Sequence, residues 1–243
     1  MMWFDPSQDE SRWSEAAQHL CRVDPVLRRV IRRVGPCGMS PRRDYFVALC
    51  RSIFAQQLNI RVAQVLFDRF RGLFPGRRLT PRQVLEVLGD AQAARGCGLS
   101  RQKTAYLCDL AAHFVDNRIP TRRLSRMSDE QVISALIGVK GIGRWTAEMF
   151  LMFVLNRPDV LPVDDLGLRE GVREIYKLRQ RPTASELNKL GERWRPFRSV
   201  ATWYVWRRNS APAPIMAEPA GPTKSRSDRD ATTRRSPRAR RRS

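Results

Sequence analysis

Residues 136–152 read LIGVKGIGRWTAEMFLM, and the two halves of this stretch favour different backbones. GVKGIG holds three glycines in six residues, too many for a helix interior. RWTAEMFLM is a helix former with an indole in its first turn. Gly138 suits the stop of a helix ending near Ile137, and Gly141 and Gly143 permit positive φ and a close approach from outside. A second helix starting near Arg144 points its free N–H groups and positive dipole end outward beside the bend. That is a main-chain site suited to a phosphate. The plainer reading is a helix–helix turn with no ligand.

The charge of the whole chain weighs against the plainer reading. Its 243 residues carry 45 Lys and Arg against 24 Asp and Glu, a net charge of +21. Such an excess favours a polyanionic partner, because each cation set against a phosphate releases condensed counterions. A solubilising charged face is the alternative. With 42% hydrophobic residues the chain can bury a core. Five cysteines (Cys21, Cys37, Cys50, Cys97, Cys108) form no C-x-x-C pair and read as thiols in a reducing compartment. His19 and His113 are too far apart in sequence to suggest a zinc site, so no metal and no cofactor are expected. No stretch reaches the ~20 apolar residues of a membrane span, and MMWFDPSQDE does not read as a signal peptide.

The body reads as helices. Thr80 with Gln83, Ser128 with Gln131 and Thr183 with Glu186 each fit the capping box that opens a helix, and Pro81 sits where proline fits the first helical position. DYFVALCRSIFAQQL and RQKTAYLCDLAAHFV space their apolar residues at three and four, and strand signals are nearly absent. The expectation is an all-α protein, a two-lobed helical bundle over residues 13–209 with its hairpin at 138–143. An N-terminal arm at 1–12 and a disordered Arg/Pro/Ser-rich tail at 210–243 flank it. The tail holds nine Lys/Arg and three Asp/Glu, +6 of the +21. It can add nonspecific DNA affinity, or act as a targeting or solubilising end.

The segment Leu136–Asp165 resembles the helix-hairpin-helix DNA glycosylase superfamily, and within it the 3-methyladenine DNA glycosylase II (alkylbase) branch. The branch signature appears as Gly141, Ile142, Gly143, Arg144, Trp145, Thr146 and Ala147, then Met149 and Phe150, and finally Asp164 and Asp165. One position departs: Leu161 stands where the family favours Met or Phe. Residues 52–70, 98–111 and 192–208 are similar to further family segments, so the likeness runs in pieces from about residue 20 to 208. It implies the short all-helical form.

The resemblance also implies chemistry. Purines alkylated at N3 or N7 are cationic, and an indole face is negative, so Trp145 at a pocket mouth favours them, with Met149 and Trp206 in the same pocket. Scission of the glycosidic bond leaves positive charge at C1′, which a carboxylate stabilises. By the family pattern that acid is Asp165, with Asp164 as second choice or as the cap of the helix starting near Leu166. Gly138, Lys140, Gly141, Gly143 and Thr146, with Arg101 and Lys103, are the candidate DNA contacts. Gln56, Gln57 and Leu58 are the candidate plug for the gap left by an extruded nucleotide. Relatives that also cut the strand carry lysine at the position of Trp145, so a monofunctional enzyme is expected. No cysteine follows Cys108, so the iron–sulfur cluster of the endonuclease III branch is not expected.

These readings lead to a monomeric hydrolase on duplex DNA containing alkylated bases, acting at the nucleoid or in a nucleus and not secreted. Two rivals are a bifunctional glycosylase/lyase and a noncatalytic DNA-binding module. The first wants a lysine at 145. The second needs neither the acids nor the indoles.

Overall fold

The computed structural model describes residues 6–90 and 96–209, with side chains from residue 13 onward. The tail at 210–243 and the first five residues of the expected arm lie outside them. The described residues form eleven α-helices and no strand: α1 (Pro6–Val23), α2 (Pro25–Val34), α3 (Tyr45–Ala55), α4 (Ile60–Gly72), α5 (Pro81–Gly89), α6 (Arg101–Val115), α7 (Asp129–Ile137), α8 (Arg144–Phe153), α9 (Leu166–Ile175), α10 (Ala184–Gly191) and α11 (Arg198–Trp206). Because α1 starts at Pro6, residues 6–12 continue into a helix and do not stand apart from it.

Local chemistry fixes the helix starts. Ser128 and Thr183 make complete capping boxes with Gln131 and Glu186. Thr80 makes half of one: it accepts from the Gln83 amide, while its hydroxyl donates to the Gln83 side chain at 2.8 Å. Asp24 caps α2 by accepting from the amides of Val26 and Leu27, both at 3.0 Å. Its other oxygen accepts from the Tyr176 hydroxyl and from Trp194 Nε1. This fully buried carboxylate therefore ties α2 to the end of α9 and to the turn after α10.

The helices sort into two lobes. α1 and α2 pack with α11, which also packs on α9, and α10 leads into the turn that meets α1. In the second lobe α3 packs on α4, α6 and α8, α5 lies on α6, and α7 on α8. The loop from Val154 to Asp165 joins them. It is clamped onto the start of α11: Arg198 Nε and Nη2 donate to the two Asp159 carboxylate oxygens at 2.7 and 3.1 Å, and the Val160 amide donates to Ser199 Oγ at 2.9 Å. Leu161, the departure from the family pattern, is buried there against Gly191, where an added Cβ would lie 2.5 Å from its Cδ2. An apolar side chain is what that space requires.

Candidate active site

Two helix termini and one helix end build the site. The first terminus follows the bend at 138–143. Val139 and Ile142 are buried and plug it into the core, with the Ile142 amide donating to the Val139 carbonyl at 3.0 Å. Gly141 has φ +82, and a Cβ there would meet the Tyr106 ring at 2.2 Å, so only glycine fits. Its carbonyl accepts from Gln56 Nε2 at 2.7 Å, and the Lys140 amide donates to Asp109 Oδ2 at 2.8 Å. Gly138 caps α7, but in the right-handed region at φ −63.

Gly143 corrects the expectation of a second positive φ. It lies at φ −94, and no protein atom lies within 4 Å of an added Cβ. Nothing in the protein demands glycine there. Gly143 is the N-cap of α8, and no side chain caps that helix. The first amides of α8 and its positive end thus stay open toward solvent.

The second terminus is that of α9, and its N-cap is Asp165. The capping role considered for Asp164 falls instead to Asp165, whose Oδ1 accepts from the Leu168 amide. The same carboxylate accepts Trp206 Nε1 on Oδ1 at 3.0 Å and Trp145 Nε1 on Oδ2 at 2.8 Å. Trp145 is on α8 of one lobe, and Trp206 ends α11 of the other. The carboxylate is where the lobes meet. Trp145 is 40% exposed, while Trp206 is half-buried and stacks on Phe153 at 6.0 Å between ring centroids. Gly167 leaves room for this cluster, since a Cβ there would lie 3.2 Å from Asp165 Oδ1 and 3.5 Å from Trp206 Nε1. Asp164 is exposed.

Other expected residues fall elsewhere. Met149 is only 2% exposed and belongs to the core of its lobe. Thr146 is buried, at 6% exposure, in the first turn of α8. Lys103 is not spread toward solvent as a phosphate contact would be: Nζ donates to the carbonyls of Phe54 at 2.6 Å and Gln56 at 3.0 Å. Burial lowers its pKa. Arg101 is exposed at the start of α6. Gln56 is held against the bend, Gln57 is exposed with φ +57, and Leu58 is half-buried. A side chain at positive φ without glycine is a local cost in the backbone of this loop.

The sequence reading missed Tyr106, Asp109, Phe153 and Gly167. Tyr106 and Asp109 lie three residues apart on one face of α6, a spacing visible in the sequence, yet nothing in it says that this face supports the bend. It also missed Glu148, one turn along α8 from Arg144. Arg144 donates from Nη1 to Glu130 Oε2 at 3.2 Å, from Nη2 to Glu130 Oε1, and from Nε to Glu148 Oε1 at 3.3 Å. Glu148 is 8% exposed, and burial pushes its pKa up to about 7, with Arg144 opposing and Asp164 and Glu130 adding to the rise.

An open helix start behind a glycine bend, together with a carboxylate held by two indoles, makes this a helix-hairpin-helix protein with an acidic, aromatic site where its lobes meet. Residues 50–196 match the family described as HhH-GPD superfamily base excision DNA repair protein. The chain belongs to that superfamily. It is similar to DNA-3-methyladenine glycosylase 1 of Schizosaccharomyces pombe, with 36% identity over 199 residues, 80% of this chain and 86% of that protein. Its fold matches the S. pombe 3-methyladenine DNA glycosylase solved in complex with abasic DNA, with a TM-score of 0.71, 36% identity, and coverage of 79% of this chain and 95% of that one. It matches DNA-3-methyladenine glycosidase from Bacillus halodurans with a TM-score of 0.71 and 31% identity, covering 86% and 94% of the two chains.

Proposed function

We propose that the protein is a monofunctional DNA glycosylase that hydrolyses the N-glycosidic bond of alkylated, 3-methyladenine-type bases in duplex DNA. The observation that carries this reading is the Asp165 carboxylate shared by the indole N–H groups of Trp145 and Trp206. Relatives whose names state this activity support it, one of them solved on abasic DNA.

The reaction follows from the charges. An N3- or N7-alkylated purine carries a positive charge and departs as a neutral base, taking the electron pair of the C1′–N bond. The sugar is left as an oxocarbenium cation. Asp165, anionic and held at the start of α9, stabilises that cation, and water adds to C1′ with loss of a proton. Trp145 offers an exposed ring face to the cationic base. Trp206 serves as the second wall. Met149 stands one turn beyond Trp145 on α8, buried in the core behind it. The open amides of Gly143 to Thr146 bind a phosphate, Gln57 with Leu58 fills the gap left by the extruded nucleotide, and Gln56 and Lys103 hold that loop in place. Arg101 and the Lys140 side chain contact the backbone from the rim.

Trp145 cannot form a Schiff base, so the product is an abasic site in an intact strand. The substrate places the protein with chromosomal DNA, in a bacterial nucleoid or a nucleus. No helix among the described residues is long and apolar enough to cross a membrane. The test is incubation with duplex DNA methylated at purines, assayed for released base and for breaks before and after alkali. Free methylated base with breaks only after alkali supports the reading. Breaks without alkali favour the lyase, and no released base favours a DNA-binding module.

A further inference from the structure

Helix α2, PVLRRVIRRV, buries Leu27, Val30 and Ile31 and turns four arginines outward. Arg29, Arg32 and Arg33 are exposed, Arg28 is half-buried, and the helix contains no acidic residue. Arg28 with Arg32 and Arg29 with Arg33 stand at i, i+4, and Arg29 with Arg32 at i, i+3, so like charges crowd one ridge and oppose the helix. Several arginines elsewhere do have carboxylate partners: Arg144 on Glu130, Arg173 on Glu170, Arg195 on Asp159, Arg208 on Glu174. Among the described residues no carboxylate pairs with Arg28, Arg29 or Arg32.

The ridge is also placed with respect to the cleft. Arg33 Nη2 donates to the carbonyl of Arg208, two residues past Trp206, and Trp206 holds Asp165. From Asp165 the contacts continue through Trp145 to the glycine bend. The open helix start and the α2 ridge therefore lie in different lobes, connected through the shared carboxylate.

We propose that Arg28, Arg29, Arg32 and Arg33 of α2 form a second phosphate-binding surface, gripping the DNA backbone on the side of the extruded nucleotide away from the glycine bend. The proposal rests on the function given above. It accounts for a helix that concentrates arginines without an acidic residue of its own and reaches the segment after Trp206.

The test is the salt dependence of binding by the full-length chain to a duplex containing a tetrahydrofuran abasic analogue. Each phosphate contact adds about 0.9 to the slope of log K against log salt. An Arg29→Gln/Arg32→Gln variant is expected to lose about two phosphate contacts from that slope, on the same principle. The paired Arg29→Lys/Arg32→Lys variant keeps the slope and the wild-type melting temperature, and the Gln variant melts no lower than wild type because it loses like-charge pairs. Shortening the duplex on one flank abolishes the difference between wild type and the Gln variant. An unchanged slope in the Gln variant, with the wild type binding normally, overturns the α2 assignment alone; it is also the outcome if the ridge serves an acidic protein. Failure of the wild type to bind the duplex overturns the function and this surface together.

Discussion

Gly141 and Gly143 stand two residues apart in one motif, yet their reasons for being glycine differ. At Gly141 the reason is internal: φ is +82 and the Tyr106 ring occupies the space of a Cβ. Gly141→Ala is expected to cost about 2–4 kcal/mol of stability from overpacking and backbone strain, read as a fall in melting temperature. At Gly143 neither constraint exists, so Gly143→Ala should change stability by less than about 1 kcal/mol. Its effect should appear in weaker duplex binding, because a methyl group stands where a phosphate approaches. Equal destabilisation by both substitutions would contradict this division. Glu148 gives a pH prediction at the same scale. Its folded pKa of about 7 lies above the ordinary carboxyl value of 4.5, so the folded state holds the proton more tightly. Its contribution is therefore fully favourable below the unfolded pKa and is lost as pH rises through the folded one. Glu148→Gln, which cannot ionise, should raise stability relative to wild type by about 1–3 kcal/mol at pH 8 and much less at pH 5. Denaturant melts at the two pH values decide it, and a difference that does not depend on pH would refute it. The resemblance named Trp145 and Asp165 from the signature and implied Trp206 from the separate segment at 192–208, and the structure brings the three together. Sequence reading could not locate Glu148, because the burial that raises its pKa comes from tertiary packing and the charges of Glu130 and Asp164 reach it from outside its own helix.

The α3 end, the loop at 56–58 and the start of α6 work as one unit. Lys103 crosses from α6 to satisfy the Phe54 and Gln56 carbonyls, and Gln56 crosses to the glycine bend. Lys103→Met is expected to leave those carbonyls unsatisfied and destabilise the fold by about 1–3 kcal/mol, measured by denaturant melts. A phosphate-contact role would instead leave the melt unchanged and lower only DNA affinity. Helix starts were legible in the sequence, since a capping box is a contact within four residues, and those at Ser128 and Thr183 form in full. The direction of Lys103 was not, because 47 to 49 residues separate it from its partners. A lysine beside an arginine in LSRQK reads as surface charge until the fold shows a main-chain acceptor within reach.

At the scale of the molecule, two helical lobes meet at one carboxylate. The all-helical class was legible because periodicity and caps agreed along the chain, and so was the presence of two lobes. Their composition was not: nothing local says that α1 and α2 pack with α11 while α3 packs with α8. Asp165 is the point where this pairing acts on chemistry, since α8 supplies one indole and α11 the other. The most direct measurement is the single-turnover excision rate of Asp165→Asn on a duplex carrying 7-methylguanine, beside its affinity for an abasic-analogue duplex. Asparagine keeps the capping oxygen but not the charge. The account predicts a rate at least ~10²-fold lower with affinity within a few-fold of wild type. An excision rate close to wild type would show that the charge at Asp165 does not carry the reaction.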